Sequence, residues 1–556
     1  MSVMRRFGCA VAALAVTAGT VLSSSGPADA RPLVPSLLEQ GTIPGWLSYD
    51  RPPQYPTVSE EIRVPMRDGV GMRCTKLGPA TTNGRPLEGR HPVVVTDFFA
   101  YRLLQYATVG LPEPLAERGY VTLTCSPRGS GGTEGAWRPF EKQESQDNYD
   151  LIEWAAAQPW STGKVGQVGM SYGGISTYKA VATHAPHLAA AVPIVSFANA
   201  YREMVYPGGA PGTVLRWWPA VTGVTAQADQ PRDAASTFPE YAAVANQWKE
   251  HPTEDAYWKA WNVDGKAVGS STVPILGIGG WADLFPDGMV RNYLAAKTHS
   301  HLLMLPGAHL NFLPGDPDWP VVANAMLGWF DRYLMGRTDV PQPRARITSW
   351  QLPHFSGHWT ELADWPTRTT RLPLTGGWGP DTTELMIHNV IPWDNGCACL
   401  EHGAYNSADL PINDQRMADS QRVKFDVGPL EHDMVLVGTP VTHLVADLSA
   451  SDGNIVVRLE DVSPTGAAYV ITSGWLRASH RLGHEHPEPL TPNKTYNFTI
   501  PMWPTDWRLQ AGHFLRITVS SGDVQMIQPA GDPDSQMIVY AGKGGSTIDL
   551  PVQNMN

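Results

Sequence analysis

Val165-Gly166-Gln167-Val168-Gly169-Met170-Ser171-Tyr172-Gly173-Gly174 is the stretch on which the reading of this chain turns. An apolar run suited to a buried strand enters Gly-x-Ser-x-Gly at residues 169–173, and a helical pattern over 175–184 follows directly. Such a turn is sharp, so it holds the serine Oγ out at the end of the strand, and glycines at 169 and 173 let the adjoining backbones approach. The helix starting beneath the serine offers its dipole and N-terminal N–H groups to a developing negative charge. Ser171 is therefore the candidate nucleophile. The competing reading is a Gly-rich strand-to-helix turn carrying a solvated serine.

A serine hydroxyl at neutral pH is a weak nucleophile and needs a histidine base oriented by a carboxylate. In a sheet that carries this turn the order along the chain is Ser, then Asp or Glu, then His, each at the C-terminal end of a strand. The strand-like run 273–279 exits through Gly280-Trp281-Ala282-Asp283, and the run 301–305 exits through Pro306-Gly307-Ala308-His309. Asp283 and His309 thus stand at the required edge in the required order. Asp287 is the competing acid in the same turn, a helix N-cap is the competing role for Asp283, and a plain loop position is the competing role for His309. His301 precedes its strand and falls at the opposite edge.

Outward from this core, strand-like runs at 61–65, 71–77, 92–97, 120–125, 165–170, 190–195, 273–279 and 301–305 alternate with helical patterns such as 114–118, 146–157 and 175–184. That alternation predicts an eight-stranded, largely parallel open sheet with helices on both faces. Residues 198–269 break it, being rich in Trp, Tyr, Ala and Pro (Trp217, Trp218, Trp248, Trp258, Trp261), and are expected to form a mainly helical insertion over one edge of the sheet. After about residue 344, runs at 435–437, 442–448, 454–459, 469–473, 495–500 and 514–520 are separated by Gly/Pro/Asp turns with no helical interludes, the texture of an all-β sandwich or jelly roll. At 556 residues the chain is too long for one core. The expected division is a leader at 1–30, an α/β domain at 31–345 and a β domain at 346–556.

Composition narrows the function. Lys+Arg total 41 against 53 Asp+Glu, a net charge of −12 with no basic block, which speaks against a nucleic-acid backbone binder. A charged fraction of 17% is too low for a disordered, solvating chain. The 53 Gly and 49 Pro indicate many turns rather than long helical bundles. At the N-terminus Arg5 and Arg6 precede an apolar run over 7–22, then a polar stretch ending Ala28-Asp29-Ala30. This pattern predicts a signal peptide cleaved after Ala30 and export of the mature chain; an uncleaved anchor or buried helix is the alternative. No later run reaches the ~18 apolar residues of a membrane span, so no stable membrane insertion is expected.

Cys9 leaves with the leader, and Cys74, Cys125, Cys397 and Cys399 allow three pairings. Cys397-x-Cys399 without a second Cys/His pair is a poor zinc signature. Gly129-Ser130-Gly131 lacks the third glycine and helix start of a dinucleotide loop. His480, His484 and His486 lie in a Pro-rich loop without a metal-binding scaffold. Neither a cofactor nor a metal is expected.

The elbow at 169–174, the Gly-Trp-x-Asp turn at 280–283, the Gly-x-His loop at 307–309 and the β-rich C-terminus resemble the cocaine-esterase-like (CocE/NonD) hydrolases. These belong with the Xaa-Pro dipeptidyl-peptidase-like serine hydrolases, which also include α-amino-acid ester hydrolases and glutaryl-cephalosporin acylases. Arg128-Gly129-Ser130-Gly131-Gly132-Thr133-Glu134-Gly135, Gln158-Pro159-Trp160, Gly474-Trp475-Leu476-Arg477-Ala478-Ser479 and Gly512-His513-Phe514-Leu515-Arg516-Ile517 support it. The resemblance spans nearly the whole mature chain. It implies an α/β-hydrolase domain, a helical cap inserted ahead of the acid residue, and a jelly-roll domain packed on both. It also implies an oxyanion hole made by the N–H of Tyr172 and by a tyrosine hydroxyl after the third strand. Tyr101 takes that role, displaced by one residue within 96–102; its alternative is an aromatic packing residue under the cap. Ser126 stands where the family usually has Asp. The family's strand order, with the second strand beside the fourth, implies a Cys74–Cys125 disulfide, whereas a Cys397–Cys399 ring would be strained.

The expected function is a secreted serine hydrolase that cleaves ester or amide bonds of small acyl substrates through an acyl-enzyme. An aromatic cap would shape an apolar acyl pocket, with Trp217, Trp218 and Trp281 as candidate lining. An Xaa-Pro dipeptidyl aminopeptidase is the alternative; it needs carboxylates for a substrate α-amino group, for which the cap offers Glu203, Glu240, Glu254 and Asp255. A surface- or glycan-binding protein on a degenerate hydrolase core is a further alternative, opposed by the intact Ser–Asp–His order. The expected partner is a small ester or amide, or a short peptide, and not nucleic acid.

Overall fold

Val93, Val94, Val95, Val165, Val168, Val192, Ile194, Ile275, Leu276 and Ile278 are all completely buried. Strands this apolar on both faces are stable only between two helical layers. In the computed structural model they form the centre of a ten-stranded sheet of order β1-β2-β4-β3-β5-β6-β7-β8-β9-β10. The strands are β1 Thr57–Pro65, β2 Gly71–Pro79, β3 His91–Thr96, β4 Val121–Cys125, β5 Ser161–Met170, β6 Leu188–Ile194, β7 Ile275–Gly280, β8 Ser300–Leu305, β9 Ile347–Gln351 and β10 His358–Leu362. Pairing is parallel from β4 across to β9 and antiparallel at the two ends. The structure describes residues 37, 42–96, 112–215, 218, 243–244, 246–309, 311–314, 316–353, 357–375, 384–388, 414–420, 422–523, 526–529 and 535–553. The leader 1–30, Tyr101, Trp217, Glu240, Cys397 and Cys399 lie outside these residues.

All eight apolar runs form strands of this sheet, but the expected count of eight is too low. Helix Trp319–Tyr333 is a crossover from β8 that brings β9 alongside it in parallel, and β10 folds back on β9. The sheet therefore reaches past residue 346, where the sequence texture changes. Gly166 and Gly169 point to opposite faces of β5. A β-carbon at Gly166 would stand 2.7 Å from Phe330 of helix Trp319–Tyr333, and one at Gly169 would stand 2.6 Å from Gly173 in helix Tyr172–Ala182. The two helices thus cover opposite faces. Cys74 lies opposite Cys125 across β2 and β4, and the two are joined as the disulfide that the resemblance implied.

On the helix Trp319–Tyr333 side, the completely buried Asp331 accepts hydrogen bonds from the hydroxyls of Tyr49 and Tyr120, both at 2.7 Å. It also accepts two from the Arg51 guanidinium, both at 2.8 Å, which ties the start of the domain to this helix.

Within 198–269 the regular elements among the described residues are helical, among them Tyr201–Val205, Pro207–Gly209, Ala256–Trp261 and Gly265–Ser270. Their aromatic side chains, with Trp218 and Trp248, pack in one cluster with Trp137, Phe140, Tyr172, Phe197 and Phe285 from the sheet domain. From Thr370–Pro373 to Thr547–Leu550 the strands pair only antiparallel, in sheets of six, four and two strands. This β domain holds both other parts. The Thr213 N–H donates to Met526 O at 3.0 Å and the Gln528 N–H to Pro211 O at 2.7 Å, so the cap is stitched to the loop around 526–528. At the sheet edge the Leu352 N–H donates to Asp506 O at 2.8 Å. The architecture is that of an α/β-hydrolase domain with a C-terminal jelly-roll-type domain.

Candidate active site

Strand β5 ends at Met170 and the next helix begins at Tyr172, leaving Ser171 alone in the turn at φ 57°, ψ −115°. A side-chain-bearing residue adopts that backbone only where the surroundings impose it. Here the Ser171 N–H donates to Ile194 O and the Ile175 N–H to Ser171 O, both at 2.9 Å. Gly169 and Gly174 leave no room for a side chain: β-carbons there would lie 2.6 Å from Gly173 and 2.2 Å from Ile194 O. The first N–H groups of a helix project beyond its N-terminal end, so that of Tyr172 faces the elbow.

The exits of β7 and β8 meet beside it. A β-carbon at Gly280 would stand 2.2 Å from Gly307 O, and the Trp281 N–H donates to Leu305 O at 2.8 Å. That closeness brings His309 Nδ1 to 2.5 Å from Asp283 Oδ1 and His309 Nε2 to 2.8 Å from Ser171 Oγ. Asp283 is completely buried, and its other oxygen accepts the Phe285 N–H at 2.8 Å. The Phe285 ring meets the imidazole edge-on at 5.7 Å. The loop carrying the histidine is fixed by Asn311, which accepts the Ala308 N–H at 2.7 Å and donates to Asp316 at 2.8 Å. One hydrogen-bonded line thus runs Asp283, His309, Ser171. A proton can move along it from the serine hydroxyl to the imidazole, whose cation the carboxylate stabilises.

The competing residues go elsewhere. Asp287 is paired with Arg291 at 2.5 Å. His301 packs edge-on against Trp329 at 5.3 Å, with burial lowering its pKa to about 4. Trp218 lies in the cap cluster, stacked on Trp137 and Trp248. Trp281 does not line that cluster: its indole N–H donates to Trp350 O at 3.1 Å, anchoring it beneath β9. Three of the four cap carboxylates are bound internally. Glu203 accepts the N–H groups of Ala198 and Asn199 at 3.1 and 2.9 Å. Glu254 accepts from Asn199 at 2.6 Å and Arg202 at 2.8 Å. Asp255 caps helix Ala256–Trp261 through the Tyr257 N–H and bonds His251.

Gly129 and Gly131 are turn residues at φ 72° and 52°, where Arg128 binds Asp147 and Asp68. The Ser126 hydroxyl is buried without a partner among the described residues. His480 and His484 face each other, Nδ1 to Nδ1 at 3.1 Å, at the junction of cap and β domain. No group of three or more His, Cys, Asp or Glu among the described residues is arranged to hold a metal, and no helix among them is long and apolar enough to cross a membrane. The residue that sequence reasoning missed is Glu144, a buried carboxylate that accepts the Tyr172 hydroxyl at 2.5 Å. It sits in an ordinary acidic helix start and is 28 residues from its partner, so no local pattern marks it.

Residues 68–311 match the model of the X-Pro dipeptidyl-peptidase (S15 family), and residues 339–543 match that of the X-Pro dipeptidyl-peptidase C-terminal non-catalytic domain. The cocaine esterase of Rhodococcus sp. (strain MB1 Bresler) is 26% identical over 532 residues, covering 84% of this chain and 91% of that relative. A CocE/NonD family hydrolase from Staphylococcus aureus aligns with a TM-score of 0.71 at 18% identity, over 93% of this chain and 99% of its own. An aminopeptidase from a marine sediment Thaumarchaeota archaeon aligns with a TM-score of 0.72 at 19% identity, over 95% and 100%. At such identities the two structures speak to the fold.

Proposed function

Since the chain belongs to the serine hydrolases of the X-Pro dipeptidyl-peptidase (S15) and CocE/NonD type, we propose that it is a secreted enzyme cleaving ester or amide bonds of small acyl substrates through an acyl-enzyme. Ser171 Oγ attacks the carbonyl carbon while His309 Nε2 takes its proton, and Asp283 stabilises the imidazolium and holds its Nδ1 proton. The oxyanion is met by the Tyr172 N–H and, in this reading, by the Tyr101 hydroxyl. Collapse expels the leaving group, which takes its proton from His309. Water, deprotonated by His309, then releases the acid and restores Ser171. The observation that carries this reading is the 2.8 Å and 2.5 Å line from Ser171 through His309 to Asp283.

The internal bonding of Glu203, Glu254 and Asp255 supports ester or amide substrates with a neutral acyl end over Xaa-Pro dipeptides. A substrate ammonium would have to displace backbone N–H groups, Arg202 or His251 from these carboxylates. Secretion is supported by the n-region, apolar run and Ala28-Asp29-Ala30 of the leader and by the Cys74–Cys125 disulfide, which suits an oxidising compartment. N-terminal sequencing of protein from culture medium should begin at Arg31; cell-retained protein with residues 1–30 intact would contradict export. The activity test is hydrolysis of p-nitrophenyl butyrate and glycyl-prolyl-p-nitroanilide by the mature protein and its Ser171→Ala variant. Ester turnover that the variant loses, with a silent anilide, is expected. Rapid anilide turnover would establish the aminopeptidase instead.

A further inference from the structure

Glu144 lies in the first turn of helix Lys142–Ala156 and is 4% exposed. A carboxylate so deeply buried is costly unless its oxygens are satisfied. Its Oε2 accepts the Tyr172 hydroxyl at 2.5 Å and the Phe140 N–H at 3.3 Å, and its Oε1 accepts the Ser176 hydroxyl at 3.3 Å. The same Tyr172 hydroxyl receives the Trp137 indole N–H at 3.3 Å. Phe140, held at φ 60°, packs its ring 4.3 Å from that of Tyr172. These groups converge on the residue that follows Ser171. None belongs to the proton line from Ser171 to Asp283.

Among the described residues, the charged and titratable groups facing Glu144 come from two helices. Helix Tyr172–Ala182 contributes Tyr172 itself and Lys179, whose ammonium donates to the carbonyls of Ala260, Trp261 and Asn262 at 3.1, 3.2 and 3.1 Å. Its own helix contributes Asp147, which is held by Arg128 at 2.5 Å. From the preceding loop Glu144 receives only the Phe140 N–H.

Resting on the acyl-enzyme reading above, we propose that ionised Glu144 is a positioning residue for oxyanion stabilisation. By accepting the Tyr172 hydroxyl proton it braces the residue whose N–H meets the oxyanion, and protonation of Glu144 relaxes that brace. The chemistry behind this is charge. An ionised carboxylate accepts the Tyr172 hydroxyl in a charge-assisted bond, and protonation of either oxygen neutralises the group and weakens that bond. Burial pushes the Glu144 carboxyl up to about 7, opposed by the Tyr172 hydroxyl, the Phe140 N–H and Lys179. The brace therefore loosens within the neutral range rather than only in acid.

The test measures kcat and KM for p-nitrophenyl butyrate from pH 5 to 9 on the wild type, Glu144→Gln and Tyr172→Phe, with fluorophosphonate labelling of each at pH 8. The wild type should show a step near neutral pH across which kcat falls roughly tenfold toward acid as Glu144 is protonated, beside any acid limb common to all three proteins. Glu144→Gln should lack that step and have a kcat at pH 8 lower by roughly tenfold, short of the 10²–10³ lost when an oxyanion donor is removed outright, with KM little changed. Tyr172→Phe removes the hydroxyl through which the brace acts, so the Glu144 step should vanish from its kcat profile and its kcat at pH 8 should fall as in Glu144→Gln. If all three proteins are labelled and share one kcat profile, the positioning role is overturned while the serine chemistry stands. If the wild type is not labelled at Ser171, the acyl-enzyme reading falls and takes this role with it. Should Glu144→Gln fail to fold, Tyr172→Phe decides alone: a Glu144 step that persists in its kcat profile overturns the proposal.

Discussion

Gly174→Ala should disable the enzyme without touching a reacting atom. Gly174 is the third residue of helix Tyr172–Ala182, and a β-carbon there would sit 2.2 Å from Ile194 O and 3.2 Å from Gly169 O. Ile194 O already accepts the Ser171 N–H at 2.9 Å. Both obstacles are backbone, so no side chain can swing aside. Restoring an ordinary contact requires the helix start to retreat from β6 by about 1 Å. Ser171 is attached to that helix start, so its 2.8 Å contact with His309 would open beyond hydrogen-bond range. A catalytic group misplaced by about 1 Å costs roughly 10² in rate, and the overpacking costs about 1–3 kcal/mol of stability. The assay is kcat/KM on p-nitrophenyl butyrate with the rate of fluorophosphonate labelling and the thermal midpoint. Gly45→Ala is the control, because nothing lies within 4 Å of its β-carbon position. A folded Gly174→Ala protein with kcat/KM within twofold of wild type would refute the claim that close backbone packing places Ser171.

Three further outcomes are expected. Asp283→Asn should lower kcat/KM by on the order of 10⁴, as loss of the orienting carboxylate does in such relays, whereas Asp287→Asn, which loses the Arg291 pair, should cost less than about tenfold; equal effects would misassign the acid. Asp331→Ala strands the buried Arg51 guanidinium and should destabilise by about 3–5 kcal/mol in a denaturant titration, and a loss below about 1 kcal/mol would show that the site relaxes. By thermal midpoint, stability should fall as pH rises from about 5 to 8, most steeply above pH 6.5. Burial raises Glu144 and Asp318 to about 7 from 4.5 and 3.8, and Glu203 and Glu460 to about 8 from 4.5, so the folded state keeps four protons that the unfolded chain has released, and that stability is lost as pH climbs through 7 and 8. Burial lowers His301, His480 and His484 to about 4 from 6.5, so below pH 6.5 the folded state lacks three protons, which offsets most of the carboxyl slope there. A midpoint that climbs steadily through pH 8 would contradict that balance.

The parts of the site legible in the sequence are those that local patterns specify. A strand, Gly-x-Ser-x-Gly and a helix fall within some twenty consecutive residues, and Asp283 and His309 each follow an apolar run directly, so strand direction alone assigns them to one edge. Asp283 is the acid that the strand exit favours in the sequence, and its competitor Asp287 lies in the following helix Pro286–Ala295, paired with Arg291 four residues on. Strands β9 and β10 were hidden because a crossover helix and a Pro-rich stretch separate them from β8, and a strand's own residues do not say which sheet it joins. The direction of Trp281 was open for a related reason: an indole at a strand exit can turn toward the cap or beneath the sheet, and here Ser349 and Trp350 O draw it beneath. Glu144 and Glu254 depend on partners brought together only by folding, as with Glu254 and Arg202, 52 residues apart.

The central claim is that His309 makes Ser171 a nucleophile. Its most direct test is a peptide mass map after brief exposure to a fluorophosphonate, run on the mature protein and on His309→Ala. The account predicts a single phosphonylated residue, Ser171, in the wild type and almost none in the variant over the same time. Modification at another residue, no modification at all, or equal labelling of Ser171 in both proteins would contradict it.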